Sequence, residues 1–304
     1  MEHFSDRLAK AVIAKRSVVC VGIDPDLARM PPELVRAYRE RANAEGDERA
    51  VAACFEEFSR GVIAAVADVA VAIKPQAACF EQYGAPGWAA LRAVVDCAHE
   101  HDLAVILDVK RGDIAATGAA YARAIFGGAA GFAGAAPGLG ADAATVSPYL
   151  GDDSLTPFTD RCTDSKGVFV LTRTSNPGAA LFQERESNGR ALYLHVADLV
   201  ARLGATHVGA HGYSDVGAVA GATAPEALRA VRTVLPNAWL LVPGYGVQGA
   251  GPAALAGIST GDAEGYVVNA SRSIIFAWQQ NGEEYRVAAA RAAGEMRDEL
   301  RGAP

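Results

Sequence analysis

Aromatic residues make up only 7% of this 304-residue chain, and cysteine occupies only five positions. Cys20, Cys54, Cys79, Cys97 and Cys162 are odd in number, far apart and form no C-x-x-C, so neither a disulfide framework nor a cysteine zinc site is expected, and they read as small core residues. Basic charge is also short. Against 35 Asp and Glu stand 28 Lys and Arg, a net charge of −7, so no global field draws the chain to nucleic acid or to an anionic membrane. No uncharged apolar run reaches transmembrane length, and the segment Met1 to Arg7 lacks the apolar core of a secretory signal, so a cytoplasmic protein is expected. His99 and His101 are close, and on a helix an i, i+2 pair points to different sides, which argues against a metal site there.

Hydrophobic residues are abundant at 51%, enough for a large core. Eight short β-type runs can be marked, at 17–23, 69–74, 104–109, 142–147, 167–172, 216–221, 239–243 and 265–269, each followed by a loop and usually by a helical pattern. This alternation predicts parallel βα units, and the length suits an α/β fold of one domain over 1–304, a (β/α)8 TIM barrel. In the first two runs Val19, Val21, Ile23 and Val69, Val71, Ile73 alternate with smaller residues that lead to Asp24 and Lys74. Bulky residues toward the helices and small ones toward the barrel interior is the expected division. A final helix near 283–300 would complete the outer ring. Residues 25–47, with Pro25, Pro31 and Pro32, read as an extended insertion; residues 173–192 read as a long polar lid loop. The Gly/Ala run at 127–141 reads as a helix end and connector.

The most informative stretch is 104–117, an apolar run ending in Asp108, Lys110 and Asp113. A strand period of two puts Asp108 and Lys110 on one face, while Arg111-Gly112 breaks the strand and leaves Asp113 on the loop. Two carboxylates and an ammonium can then converge at one strand end. Such charges are costly to bury without partners. Asp24, Lys74, Ser175, Gln248 and Arg272 also fall at or just beyond the carboxyl ends of strands, the face where barrel active sites are built. The segment Gly244-Tyr-Gly246-Val-Gln-Gly249 matches G-x-G-x-x-G superficially, but a dinucleotide site needs an acidic residue about 20 positions on, where this chain has Asn269. Followed by Ser271-Arg272-Ser273 and a short helix from Ile274, it fits a phosphate site made by the last two strand loops.

Taken in order, Gly22-Ile-Asp24-Pro, Ile73-Lys74-Pro, Asp108-Val-Lys-Arg-Gly-Asp-Ile114 through Thr117, Thr145-Val-Ser-Pro-Tyr-Leu-Gly151, Leu171-Thr-Arg-Thr-Ser-Asn-Pro-Gly178, Pro243 to Gly249 and Ser271 to Ile274 resemble the orotidine 5′-phosphate decarboxylase family, in its longer bacterial-type branch. The resemblance spans nearly the whole chain. It implies a homodimeric barrel with shared active sites that converts orotidine monophosphate to uridine monophosphate and carbon dioxide without metal or organic cofactor. It assigns Lys110 as proton donor to C6, Asp108 beside the substrate carboxylate, Lys74 in the charge network, and Asp113 with Ile114 and Thr117 reaching the neighbouring subunit's site. Asp24 would bind ribose hydroxyls, Ser175 the pyrimidine amide edge, and Gln248 with Arg272 the phosphate, with Pro243 also at the substrate. The alternative is a magnesium-dependent sugar-phosphate decarboxylase or aldolase of the same barrel superfamily. Arg111-Gly112 inside the signature and the loop from Thr174 to Gly178 favour the orotidine branch.

Overall fold

A computed structural model describes residues 2–246 and 250–302. Eight parallel strands close into a barrel in chain order: β1 (Val19–Ile23), β2 (Ala72–Pro75), β3 (Ala104–Arg111), β4 (Ala143–Val146), β5 (Gly167–Arg173), β6 (Ser214–Ala220), β7 (Ala238–Val242) and β8 (Tyr266–Ala270). All eight coincide with runs expected from sequence, because each is a short β-branched or aliphatic run bounded by turn residues. One apolar cluster extends from Phe4 to Leu300, and the helix Tyr285–Arg301 closes the outer ring.

Side-chain parity positions the site. Lys74, Asp108 and Thr145 point into the barrel, so Ala72, Ile106 and Ala143, two residues earlier, share that inner face. The expected division of small inside and large outside does not hold everywhere. Leu171 lines the cavity at the top of the barrel, and Phe169 two residues before it fills the interior, where it meets the Phe4 ring edge-on at 6.2 Å. Gly217, paired with Phe169 on the next strand, leaves the room: a Cβ there would stand 3.0 Å from the Phe169 ring. Phe4 opens the helix Phe4–Lys15, which closes the amino-terminal end of the barrel beneath Phe169.

Three connections differ from the sequence expectation. The 25–47 insertion is not extended: it holds a 3₁₀ turn, Leu27–Arg29, and a helix, Pro32–Glu45. Proline at the first helical position is favourable, Glu33 follows in the first turn, and Leu34, Val35 and Tyr38 face the core. Gly46, at φ +89°, turns the chain directly into the helix Asp47–Val66. The Gly/Ala run forms a small antiparallel hairpin, Ala129–Gly131 with Gly134–Ala136, whose tip carries a fully exposed Phe132. The 173–192 segment has structure of its own: turns at Pro177–Ala179 and Ala180–Gln183, then a two-residue hairpin pairing Glu186–Ser187 with Arg190–Ala191. Its root is tied by Arg173, which donates to Glu184 Oε1 at 3.1 and 2.6 Å, and by Gln183, whose Oε1 accepts from the Thr174 amide at 2.8 Å. Gly221 permits the close approach, since a Cβ there would lie 2.8 Å from Ser175 Cα.

Candidate active site

The carboxyl ends of the strands surround a cavity of about 510 Å³, lined by Asp24, Lys74, Asp108, Lys110, Ser175, Pro243 and Arg272 among others. Seven of the residues singled out from sequence therefore meet in one place. Gln248 lies outside the described residues. Asp113 and Thr117 do not line this cavity; Asp113 Oδ1 accepts from the Ile114 amide at 2.8 Å, and Thr117 is exposed on the helix Ala115–Phe126. Within one chain the expected convergence of Asp113 with Asp108 and Lys110 is not formed, because the turn at Gly112 carries Asp113 outward along the loop.

Asp108 is the hub. Its Oδ2 accepts from Lys74 Nζ at 2.5 Å and Gln76 Nε2 at 3.1 Å; its Oδ1 accepts from Lys110 Nζ at 2.5 Å and Thr145 Oγ1 at 2.8 Å. Burial alone would raise the Asp108 pKa, but the charges of Lys74 and Lys110 outweigh it and hold the carboxyl well below the usual range. Burial likewise opposes the Lys74 charge, and Asp108 and Asp24 reverse the effect and raise its pKa. The two lysines are not equivalent. The Lys74 side chain is 6% exposed, whereas that of Lys110 is 47% exposed and free to reach a ligand in the cavity.

Elsewhere the walls hold unused polar atoms. Asp24 Oδ1 and Asn269 Oδ1 are buried against the cavity without a protein partner, which leaves two acceptors ready for ligand donors. Gly22 keeps that floor open, as a Cβ on it would strike Ser271 Oγ at 1.9 Å and stand 3.2 Å from Asn269 Oδ1. At the far end, Arg272 opens the short helix Arg272–Ile275, which begins two residues before the expected Ile274. It faces Pro243 and Gly244, the latter at φ +90°, across the cavity, in the arrangement expected for an anionic group.

Sequence reasoning missed Gln76, Thr145 and Asn269. Gln76 was findable as the i+2 neighbour of Lys74; Thr145 opens one of the motifs quoted above but sits in an apolar strand where threonine is an ordinary β-former, so nothing gave it a role. Among the described residues no group of three or more His, Cys, Asp or Glu side chains is placed to hold a metal ion, and no helix is long and apolar enough to cross a membrane.

A family model described as orotidine 5′-phosphate decarboxylase / HUMPS family matches residues 17–286. The orotidine 5′-phosphate decarboxylase of Rhodopirellula baltica is 41% identical over 290 residues, covering 95% of this chain and 93% of its own. That of Haloarcula marismortui is 38% identical over 310 residues, covering 98% of each. The solved structure of the Leishmania donovani OMP decarboxylase superposes with a TM-score of 0.73 at 35% identity, covering 99% of this chain and 100% of that one. With its closed barrel, its Asp108 charge hub and these full-length relatives, the chain belongs to the orotidine 5′-phosphate decarboxylase family.

Proposed function

We propose that this cavity decarboxylates orotidine 5′-monophosphate to uridine 5′-monophosphate and carbon dioxide, with Lys110 delivering the proton to C6. The observation that carries the reading is the half-exposed Lys110 ammonium held 2.5 Å from an anionic Asp108 that Lys74 grips from the other side. As the C6–carboxylate bond breaks, carbon dioxide leaves and the electron pair stays on C6, in the ring plane, where the π system cannot delocalise it. A fixed positive charge at that point lowers the barrier, and the same ammonium then gives its proton to C6 and is reprotonated by solvent. Asp108 would stand beside the substrate carboxylate, a repulsion relieved as carbon dioxide departs. Asp24 accepts from ribose hydroxyls, Ser175 meets the pyrimidine edge, and Arg272 with Gln248 and Pro243 holds the phosphate end. Binding there supports closure of the 173–192 segment over the ring.

The chemistry uses no metal or organic cofactor. All four hydrogen-bonding positions of Asp108 are filled by Lys74, Gln76, Lys110 and Thr145, which favours this reaction over a magnesium-dependent sugar-phosphate one. The test is loss of orotate absorbance on adding orotidine monophosphate to protein exhaustively treated with EDTA. Rapid loss supports the reading; inactivity, with magnesium-dependent turnover of a keto-sugar phosphate, overturns it.

The working form is a cytoplasmic homodimer. Ile114, Tyr149 and Leu150 are 60%, 83% and 48% exposed on the neighbouring loops after β3 and β4, beside the cavity, an apolar patch suited to a second copy. Asp113, Ile114 and Thr117 then enter the partner's site. Mixing Lys110→Ala with Asp113→Ala subunits restores activity on this reading; no restoration despite proven subunit exchange overturns it.

A further inference from the structure

The carboxyl end of β3 departs from its ladder with β4. Ile106 pairs with Ala143 and Leu107 with Ala144, but the next pair is Arg111 with Val146, so four steps along β3 are matched by two along β4. The surplus is taken up around Asp108 to Lys110, and Lys110 sits at φ +46°, a left-handed backbone that residues with a Cβ rarely adopt. In a regular ladder successive amides of this stretch would donate alternately to carbonyls of the two neighbouring strands. Here the amides of Val109 and Lys110 donate instead to Thr145 Oγ1, at 3.1 and 3.0 Å, and that hydroxyl gives its own proton to Asp108 Oδ1 at 2.8 Å. One oxygen thus uses both acceptor positions and its only donor. Thr145 is 2% exposed, so water has little access to replace it.

We propose that Thr145 is a positioning residue for the chemical step: its hydroxyl stands in for the missing ladder carbonyls, fixes the bulge that aims Lys110, and anchors the carboxylate to which Lys110 is hydrogen-bonded. The inference rests on the reading of Lys110 as proton donor. A valine has nearly the same shape but accepts neither amide and donates nothing, leaving two amides unpartnered. Relaxing Lys110 out of its left-handed conformation relieves that cost and moves the ammonium away from its aim. Lys74 and Gln76 still hold Asp108 through Oδ2, and the groups at the ribose and phosphate ends are untouched. The loss therefore falls on kcat and not on nucleotide affinity.

The test compares Thr145→Val, Thr145→Ser and Lys110→Ala by kcat and KM with orotidine monophosphate, by Kd for uridine monophosphate, and by exchange of the uridine monophosphate C6 hydrogen in D2O, followed by NMR. That exchange is the proton transfer run backwards and needs no carboxylate. Thr145→Val is expected to lower kcat and C6 exchange together by about 10²-fold, the order set by misaligning a proton donor, with Kd changed less than about threefold. Thr145→Ser, which keeps the hydroxyl, is expected within about threefold of the parent in all of them. If Thr145→Val does not fold, Thr145→Cys, a weak donor and acceptor, replaces it with the same expectation. Parental kcat per folded site in the hydroxyl-less variant, or a parallel loss of kcat and nucleotide affinity, overturns the assignment while Lys110→Ala is inactive. An active Lys110→Ala overturns the reading of Lys110 itself.

Discussion

At the amino-terminal end of the barrel Asp142 accepts from Arg7 Nη1, His99 Nε2 and the Val105 amide, each at 2.9 Å; at the carboxyl end Asp108 accepts from two lysines, a glutamine and a threonine. Both carboxylates are buried, and in both cases the desolvation cost is outweighed, so each pKa falls, that of Asp142 to about 2. The partners differ in kind. Around Asp142 they belong to the first helix, the helix before β3 and the start of β3, so the ion stitches elements together. Asp6 and Asp215 do the same beneath the barrel, accepting from the amides of Ala210, His211 and Ser5. Arg232 completes that end, donating to the carbonyls of Leu235, Ala238, Ile258 and Gly265 with no carboxylate at all. Around Asp108 the partners are side chains, one of them half-exposed on a left-handed backbone, and nearby acceptors on Asp24 and Asn269 are unused. Charge at one end is spent on cohesion; at the other it is kept for a ligand.

That contrast predicts separable effects. Lys110→Ala, the largest, should lower kcat by about 10³-fold or more through loss of the proposed proton donor and its field, with thermal stability close to the parent; a matching fall in Tm would erase the distinction. Arg232→Met should do the converse, costing about 3–5 kcal/mol in urea unfolding by removing four buried charge-assisted hydrogen bonds while kcat of the folded protein is kept. Arg272→Ala should weaken binding of uridine monophosphate by about 1.5–3 kcal/mol and of uridine hardly at all, measured by calorimetry. Equal losses for both ligands would remove Arg272 from the phosphate end.

Acid should act first on the cohesive end in a measurable way. The folded pKa of Asp142, about 2, lies below its ordinary 3.8, so its contribution, about 2 kcal/mol, is fully present above the unfolded value and lost as pH falls from about 4 toward 2. Asp142→Asn should flatten the stability profile in that window without altering the nucleotide affinity measured at neutral pH.

Much of this was legible beforehand, and the reasons are physical. The strands announced themselves because apolar β-branched runs stop at the charged or turn-forming residues that follow them, as Ile23 does before Asp24-Pro25 and Ile73 before Lys74-Pro75. Lys74, Asp108 and Arg272 were legible for the same reason: a charge ending a buried strand has to have a purpose. The helix Pro32–Glu45 was not, because prolines that usually break structure here start it. The hairpin at 129–136 was hidden by residues of low strand propensity. Nor could spacing show that Asp113 leaves the cavity, since that depends on the path of the chain after the bulge at Lys110.

The contact between Phe4 and Phe169 also bears on how the chain is made. The start of the first helix finds its partners in Asp142, Ser165, Phe169 and Asp215, all far along the sequence, while Lys15 at its other end donates to the carbonyls of Ala67 and Ala70. During synthesis it therefore emerges before these partners, and Phe4 and Leu8 wait uncovered until the fifth and sixth strands exist. Chaperone demand in this protein should be set by that interval, so a circular permutation placing the helix after Arg301 would shorten the wait and leave the barrel unchanged.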